Sequence, residues 1–276
     1  MPAPMRVWMN GAPATTVSVL DRGLSYGDGL FETIRFERGG APLWPRHMQR
    51  LAEGCGRLGL PAPEPAQLLH EALAVADGLP QAVVRITLTR GQGERGYAPP
   101  PLPRPTRIVA AFDAPPMRGE GYALGIRTRW CELRLAPQPR LAGIKHLNRL
   151  EQVLARAEWR DPAIQEGLLR DPEGHVVSAT MANVFAVIGG VLVTPALDRC
   201  GVAGVARAEI LAASPDAQVR PLREEALRDA SELFLSSSVR GILPVQAVDD
   251  TVYVPGPVTR ALQRHWRGLG FPMEQA

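Results

Sequence analysis

Lys145 stands in the run Leu141-Ala-Gly-Ile-Lys-His-Leu-Asn-Arg-Leu-Glu-Gln-Val-Leu-Ala-Arg156, between an extended segment and an amphipathic helix. Apolar residues at Leu147, Leu150, Val153, Leu154 and Ala157 fall on one helical stripe. That spacing predicts a buried face and puts the lysine at the helix entrance, on a junction and outside the core. A lysine in a partly dry pocket has its ammonium form disfavoured, so it becomes a neutral amine able to attack a carbonyl or take a proton. Such a lysine can carry a cofactor, although a lysine taken alone is ordinarily a solvated charge. Three other places offer chemistry. Arg50 lies on a predicted helix, the serine run Ser236-Ser-Ser238 ends a predicted strand, and the loop Arg90-Gly-Gln-Gly-Glu-Arg-Gly-Tyr97 is long and rich in glycine. Loops of that kind commonly carry function.

The elements that must hold these residues read as alternating strands and helices. Strands are expected over 31–37, 42–44, 82–89, 107–112, 122–130 and 232–237, with a hairpin over 175–194 turning on Gly189-Gly190. Helices are expected over 47–58, 65–76, 203–213 and 258–269, besides the one after Lys145. The strands and helices follow no clean βαβ repeat, which points to an α+β or mixed α/β class. Pro115-Pro116 and the glycines at 119 and 121 mark a linker. The expectation is a small N-terminal domain over 1–116, a linker over 117–121, and a larger C-terminal domain over 122–276 that carries Lys145.

Composition narrows the partners. With 276 residues, 45% hydrophobic and 21% charged, the chain can bury one large core or two smaller ones. No apolar stretch is long enough to span a bilayer, and the N-terminal residues do not read as a secretory signal, so the expectation is a cytoplasmic protein with no membrane partner. The net charge of +3 comes from basic residues interleaved with acidic ones, which argues against nucleic acid and suits an anionic small molecule. Cys55, Cys131 and Cys200 are odd in number and lack metal-ligand spacing, so reduced thiols and no metal site are expected.

Four separated pieces now line up: Asp21-Arg-Gly-Leu-Ser-Tyr-Gly-Asp-Gly-Leu-Phe-Glu-Thr33, His47-Met-Gln-Arg-Leu51, the Lys145 run, and Ser178-Ala-Thr-Met-Ala-Asn-Val-Phe185. The turn Gly201-Val-Ala-Gly-Val-Ala-Arg207 adds a fifth. In order and spacing they resemble the fold-type IV pyridoxal-phosphate enzymes, the group that holds branched-chain and D-amino-acid aminotransferases and aminodeoxychorismate lyases. The resemblance covers nearly the whole chain and implies a two-domain fold like that of D-amino-acid aminotransferase. The run Ala-Gly-Ile-Lys-His-Leu-Asn-Arg-Leu-Glu-Gln and Thr33 look most like the lyase branch. That implies conversion of 4-amino-4-deoxychorismate to 4-aminobenzoate and pyruvate in folate synthesis by a homodimer. The alternative is an aminotransferase acting on branched-chain or D-amino acids or amines.

By this resemblance Lys145 forms the Schiff base with pyridoxal 5'-phosphate and later moves the substrate proton. Arg50 grips the cofactor phosphate, a dianion suited to a forked contact. The backbone N–H groups of Val205 and Ala206 cradle the same phosphate at a helix entrance. Ser237 and Ser238 align with a further phosphate-contacting pair, though serines at strand ends are commonly turn residues. Phe31 aligns with an aromatic near the cofactor or serves as a core aromatic. Arg95 and Tyr97 align with residues that trap a substrate carboxylate, in some relatives across a dimer interface, or they face solvent. Thr33 matches a threonine that the lyases place near the leaving enolpyruvyl group; on a strand, a threonine is also a β-propensity choice. His146 and Asn148 flank the lysine, and either could be structural.

One departure bears on mechanism. Relatives pair the pyridine nitrogen with a glutamate, and the aligned residue here is Ser178. A carboxylate keeps that nitrogen protonated, whereas a neutral hydroxyl does not hold the proton by charge. Transamination needs a long-lived carbanion in both half-reactions. Elimination from a cyclohexadiene ring ends in aromatisation, which relaxes the demand on the electron sink. Ser178 is therefore read as compatible with a lyase and unfavourable to a transaminase, unless Thr180 or a water replaces the acid.

Overall fold

The computed structural model describes residues 6–273, which form two compact units. One takes the chain up to Pro115 together with Ile144–Asn148, and the other takes Pro116–Gly143 and the chain from Arg149 on.

Among the described residues, the first unit holds a five-stranded antiparallel sheet in the order Ala12–Pro13, Arg6–Met9, Thr106–Asp113, Gln81–Thr89, Gly29–Glu37. Helices Trp44–Leu58 and Pro65–Ala76 pack on it, each opened by a proline in its first turn, where a missing N–H costs nothing. The expected strand over 42–44 is instead the entrance to the first of these helices, with Leu43 as its N-cap. Leu30, Leu51, Leu68, Ile86 and Val109 are buried in this core. Gly54 lets the helix approach the sheet, because a Cβ there would come within 2.9 Å of Leu30 Cδ1.

Gly29–Glu37 is the last strand of that sheet, and its outer edge would leave backbone groups unpaired. The Lys145 segment covers it. Phe31 N donates to Lys145 O and Leu147 N donates to Gly29 O, both at 3.0 Å, around a bridge between Leu30 and His146. Asn148 Nδ2 adds a bond to Gly27 O at 3.2 Å. These bonds are why Ile144–Asn148 groups with the first unit, whereas a split at the linker alone would leave Lys145 with the second.

The second unit is built on a curled mixed sheet of nine strands among the described residues. Its path runs Gln218–Arg220, Val191–Pro195, Asn183–Ile188, Glu232–Ser237, Gly241–Val248, Ile126–Arg134, Ile164–Arg170, Val176–Ala179, with Thr251–Val252 paired beside Gly241–Val248. Its core holds Phe185 stacked on Phe234, with ring centroids 5.2 Å apart. Helices Val205–Ala213 and Pro257–Gly268 accompany the sheet, the latter burying Trp266.

The helix after Lys145 departs from expectation. It spans only Leu150–Arg156, so the lysine lies five residues before it, in extended chain. Leu150, Val153 and Leu154 are 75%, 59% and 60% exposed, and the expected buried stripe is therefore an exposed one; Ala155 alone of that helix is buried. No helix among the described residues is long and apolar enough to cross a membrane. Cys55, Cys131 and Cys200 are buried and unpaired.

Candidate active site

Side chains on the strand Gly29–Glu37 alternate between two faces, and each face carries a different part of the site. Glu32 turns toward the helix Trp44–Leu58. Its carboxylate, 1% exposed, accepts from Arg50 Nε at 2.8 Å and Nη2 at 2.5 Å and lies 2.6 Å from His47 Nδ1. Burial by itself would raise the Glu32 pKa, but the Arg50 charge and His47 outweigh it and bring the carboxyl down to about 2. Burial also pushes His47 below its ordinary value, with Glu32 opposing and Arg50 and Lys145 assisting. A neutral His47 donates from Nδ1 to Glu32, and its buried Nε2 meets no hydrogen-bond partner among the described residues. Glu32 thus fixes the plane of the Arg50 guanidinium.

Phe31 and Thr33 lie on the other face. Lys145 Nζ sits 4.2 Å from the centre of the Phe31 ring, and Arg85 Cζ sits 4.4 Å from the same centre. Thr33 is the direct register partner of Arg85 on the neighbouring strand. Sequence reasoning missed Arg85. Its guanidinium is partly buried and bonds Thr87 Oγ1 at 3.4 Å, and no carboxylate lies within ion-pair distance of it among the described residues. Burial lowers its pKa. A desolvated cation without a counter-charge is costly, and an incoming carboxylate would relieve that cost. Composition also held a clue about the lysine. Of 31 Lys and Arg residues, Lys145 is the only lysine. A guanidinium does not deprotonate, so Lys145 is the only side chain of this sequence that can present a neutral primary amine.

Arg95 and Tyr97 are both exposed, Tyr97 by 86%. Their loop is nevertheless built. Buried Arg22 donates to Gly96 O at 2.9 Å and Tyr97 O at 3.0 Å, and the Tyr97 ring meets Tyr26 edge-on. The contacts that group Phe31, Lys145 and Arg85 do not extend to either residue.

In the second unit, Asn183 organises the turn before the helix Val205–Ala213. Its Nδ2 donates to Val202 O at 2.9 Å and its Oδ1 accepts from Gly204 N at 3.0 Å. A Cβ on Gly204 would fall 2.0 Å from that Oδ1, so the turn closes only around glycine. No side chain caps this helix. Val205 and Ala206 are buried, and their N–H groups have no acceptor among the described residues. A buried helix entrance with orphaned donors calls for an anion, and a phosphate fits it. Ser237 ends its strand with its Oγ accepting from Arg240 N at 3.1 Å, and Ser238 follows in the turn. The buried Ser236 hydroxyl has no partner among the described residues. Ser178 is also buried, near the end of Val176–Ala179. Each unit thus offers donors of a kind that pyridoxal phosphate needs: a primary amine and a forked arginine in the first, uncapped helix amides in the second.

Known proteins resemble this chain along nearly its whole length. An aminodeoxychorismate lyase of Vibrio harveyi is 34% identical over 264 residues, covering 93% of this chain and 97% of the relative. The crystal structure of 4-amino-4-deoxychorismate lyase from Pseudomonas aeruginosa superposes with a TM-score of 0.90 at 46% identity, over 95% of this chain and 98% of the other. The branched-chain amino acid aminotransferase of Escherichia coli superposes with a TM-score of 0.86 at 27% identity, over 98% and 96%. The model of the family described as amino-transferase class IV matches residues 29–248. The chain belongs to the class IV aminotransferase family.

Proposed function

We infer that this chain is a pyridoxal-phosphate-dependent lyase that splits 4-amino-4-deoxychorismate into 4-aminobenzoate and pyruvate. The observation that carries the reading is the cluster on one sheet face: Lys145 and Arg85 on the same Phe31 ring, with Thr33 opposite Arg85 in register. The likeness to named lyases supports it.

Each residue has a role in the proposal. Lys145 holds the cofactor carbonyl covalently, with Phe31 beside it. Arg50, kept in plane by Glu32, and the amides of Val205 and Ala206 hold the phosphate, with Ser237 and Ser238 as further contacts. When bound, pyridoxal phosphate supplies an electron sink for the carbon that carries the substrate amine. Lys145 would take the proton from the same ring carbon at its Nζ. The electron pair left behind completes the aromatic ring as the C–O bond to the enolpyruvyl group breaks. Thr33 or Lys145 returns a proton to the departing methylene carbon, giving pyruvate. Arg85 receives one substrate carboxylate, and Arg95 with Tyr97 receives the other. Ser178 lies at the ring-nitrogen end. We further propose a cytoplasmic homodimer working in folate synthesis, which size-exclusion chromatography with light scattering would check for oligomeric state.

The test is a coupled assay with a separate aminodeoxychorismate synthase, chorismate, glutamine and pyridoxal phosphate. Stoichiometric 4-aminobenzoate and pyruvate, lost in Lys145→Ala, are the expected result. Because the chain has one lysine, borohydride reduction of the loaded protein should add one cofactor mass at Lys145. Silence in the assay with the cofactor bound would favour the aminotransferase reading.

A further inference from the structure

Glu166 is a buried acid that the roles above leave unused. It lies on the strand Ile164–Arg170 and is 1% exposed. Its Oε1 accepts from the Thr180 hydroxyl and from Gly167 N at 3.0 Å, and Arg240 Nη1 stands 4.0 Å from its Oε2. Thr180 follows the strand Val176–Ala179, two residues after Ser178, and its N–H donates to Gly167 O at 3.0 Å. The Ser178 hydroxyl itself has no hydrogen bond among the described residues. Glu166 therefore joins two turns that the site reading places near the cofactor, the one after Ser178 and the Ser237–Arg240 turn.

A hydroxyl has one proton to give. Because Thr180 gives its proton to a carboxylate, its oxygen has only lone pairs left to offer, and a nitrogen that meets it must bring the proton. A buried carboxylate accepting from the hydroxyl strengthens that polarity. We propose that Glu166 is a positioning residue for the ring-nitrogen end of the cofactor site: through Thr180 it keeps the pyridine nitrogen protonated, the task that falls to glutamate in relatives and that Ser178 leaves open. This inference rests on the pyridoxal-phosphate reading above.

The experiment uses the loaded enzyme with cofactor labelled with 15N at the ring nitrogen. The wild-type signal should lie at the protonated position. Glu166→Gln and Thr180→Val should move it to the unprotonated position and lower kcat by about ten- to a hundred-fold with KM little changed. Thr180→Ser, which keeps the hydroxyl, should keep the protonated signal. Ser178→Glu added to Glu166→Gln should restore the protonated signal. If Glu166→Gln fails to fold, Thr180→Val decides alone. An unprotonated wild-type nitrogen, or a protonated one in Thr180→Val, would overturn the proposal while leaving the lyase reading intact. A wild-type protein that binds no cofactor at Lys145 would overturn both.

Discussion

Glu32 and Arg50 meet through two parallel hydrogen bonds in a pair buried between strand and helix, with His47 on the same carboxylate. The pair holds the arginine flat, and it also ties acid stability to one carboxyl. Its folded pKa of about 2 lies below the ordinary glutamate value of 4.5, so its contribution is complete above about pH 4.5 and is lost as the pH falls toward 2. His47, also depressed, acts in the same direction from a higher starting pH. Urea unfolding across this range should show the wild type losing about 3 kcal/mol to Glu32 alone. Glu32→Gln should be less stable at neutral pH, where Arg50 loses its partner, and should show a flatter acid slope. An unchanged slope would rule this account out.

Arg85 shares the Phe31 ring with Lys145 and has no carboxylate within ion-pair distance among the described residues. Arg85→Gln should retain the cofactor absorbance of the wild type and lose about a hundred-fold in kcat/KM, the scale of one charge-assisted contact of about 3 kcal/mol. Most of the loss should fall on KM. Full activity in this variant would remove Arg85 from the substrate site.

Gly204→Ala puts a methyl group 2.0 Å from Asn183 Oδ1, so the turn must shift before the helix entrance can form. Titration with pyridoxal phosphate should show affinity reduced by about ten-fold or more, while Gly268→Ala, whose Cβ would meet nothing within 4 Å in ordinary helical backbone, serves as the control for an added methyl group. Equal affinity in Gly204→Ala and the wild type would mean that the orphaned amides do not bind the phosphate.

The three thiols are buried, and burial pushes Cys131 up to about 12 and Cys55 and Cys200 up to about 11. Iodoacetamide at pH 8 should leave the native protein unmodified and label all three cysteines after denaturation, as intact mass would report. Rapid native labelling would point to local opening around one of them.

Much of this was legible because the chemistry sits in short, contiguous runs. Lys145 stood out by residue type and neighbours, whereas Arg50 and the glycine-rich turn were singled out through the family resemblance. The helix stripe after Lys145 was misread because periodicity reports which residues share a side and not whether anything covers it; Leu150, Val153 and Leu154 share a side that is open. Arg85 escaped notice because its meaning lies in register, opposite Thr33, and nothing in its own strand marks it. Glu32 stood inside a quoted run without a role, since pairing with His47 and Arg50 depends on how the helix lies on the strand. The strand Gly241–Val248 was unmarked because Pro244 interrupts its pattern. Glu166, in a strand that also went unmarked, became informative only through the hydroxyl it holds.

The edge of the strand Gly29–Glu37 has a consequence for synthesis. Its partner, the stretch Ile144–Asn148, leaves the ribosome long after the five strands of the first sheet have emerged. Until then the nascent sheet carries an open side, bounded by Gly29 and Phe31, to which a neighbouring nascent chain could pair. The segment that brings the amine into place is also the one that closes this edge, so a polypeptide halted before residue 144 would be both chemically inert and adhesive.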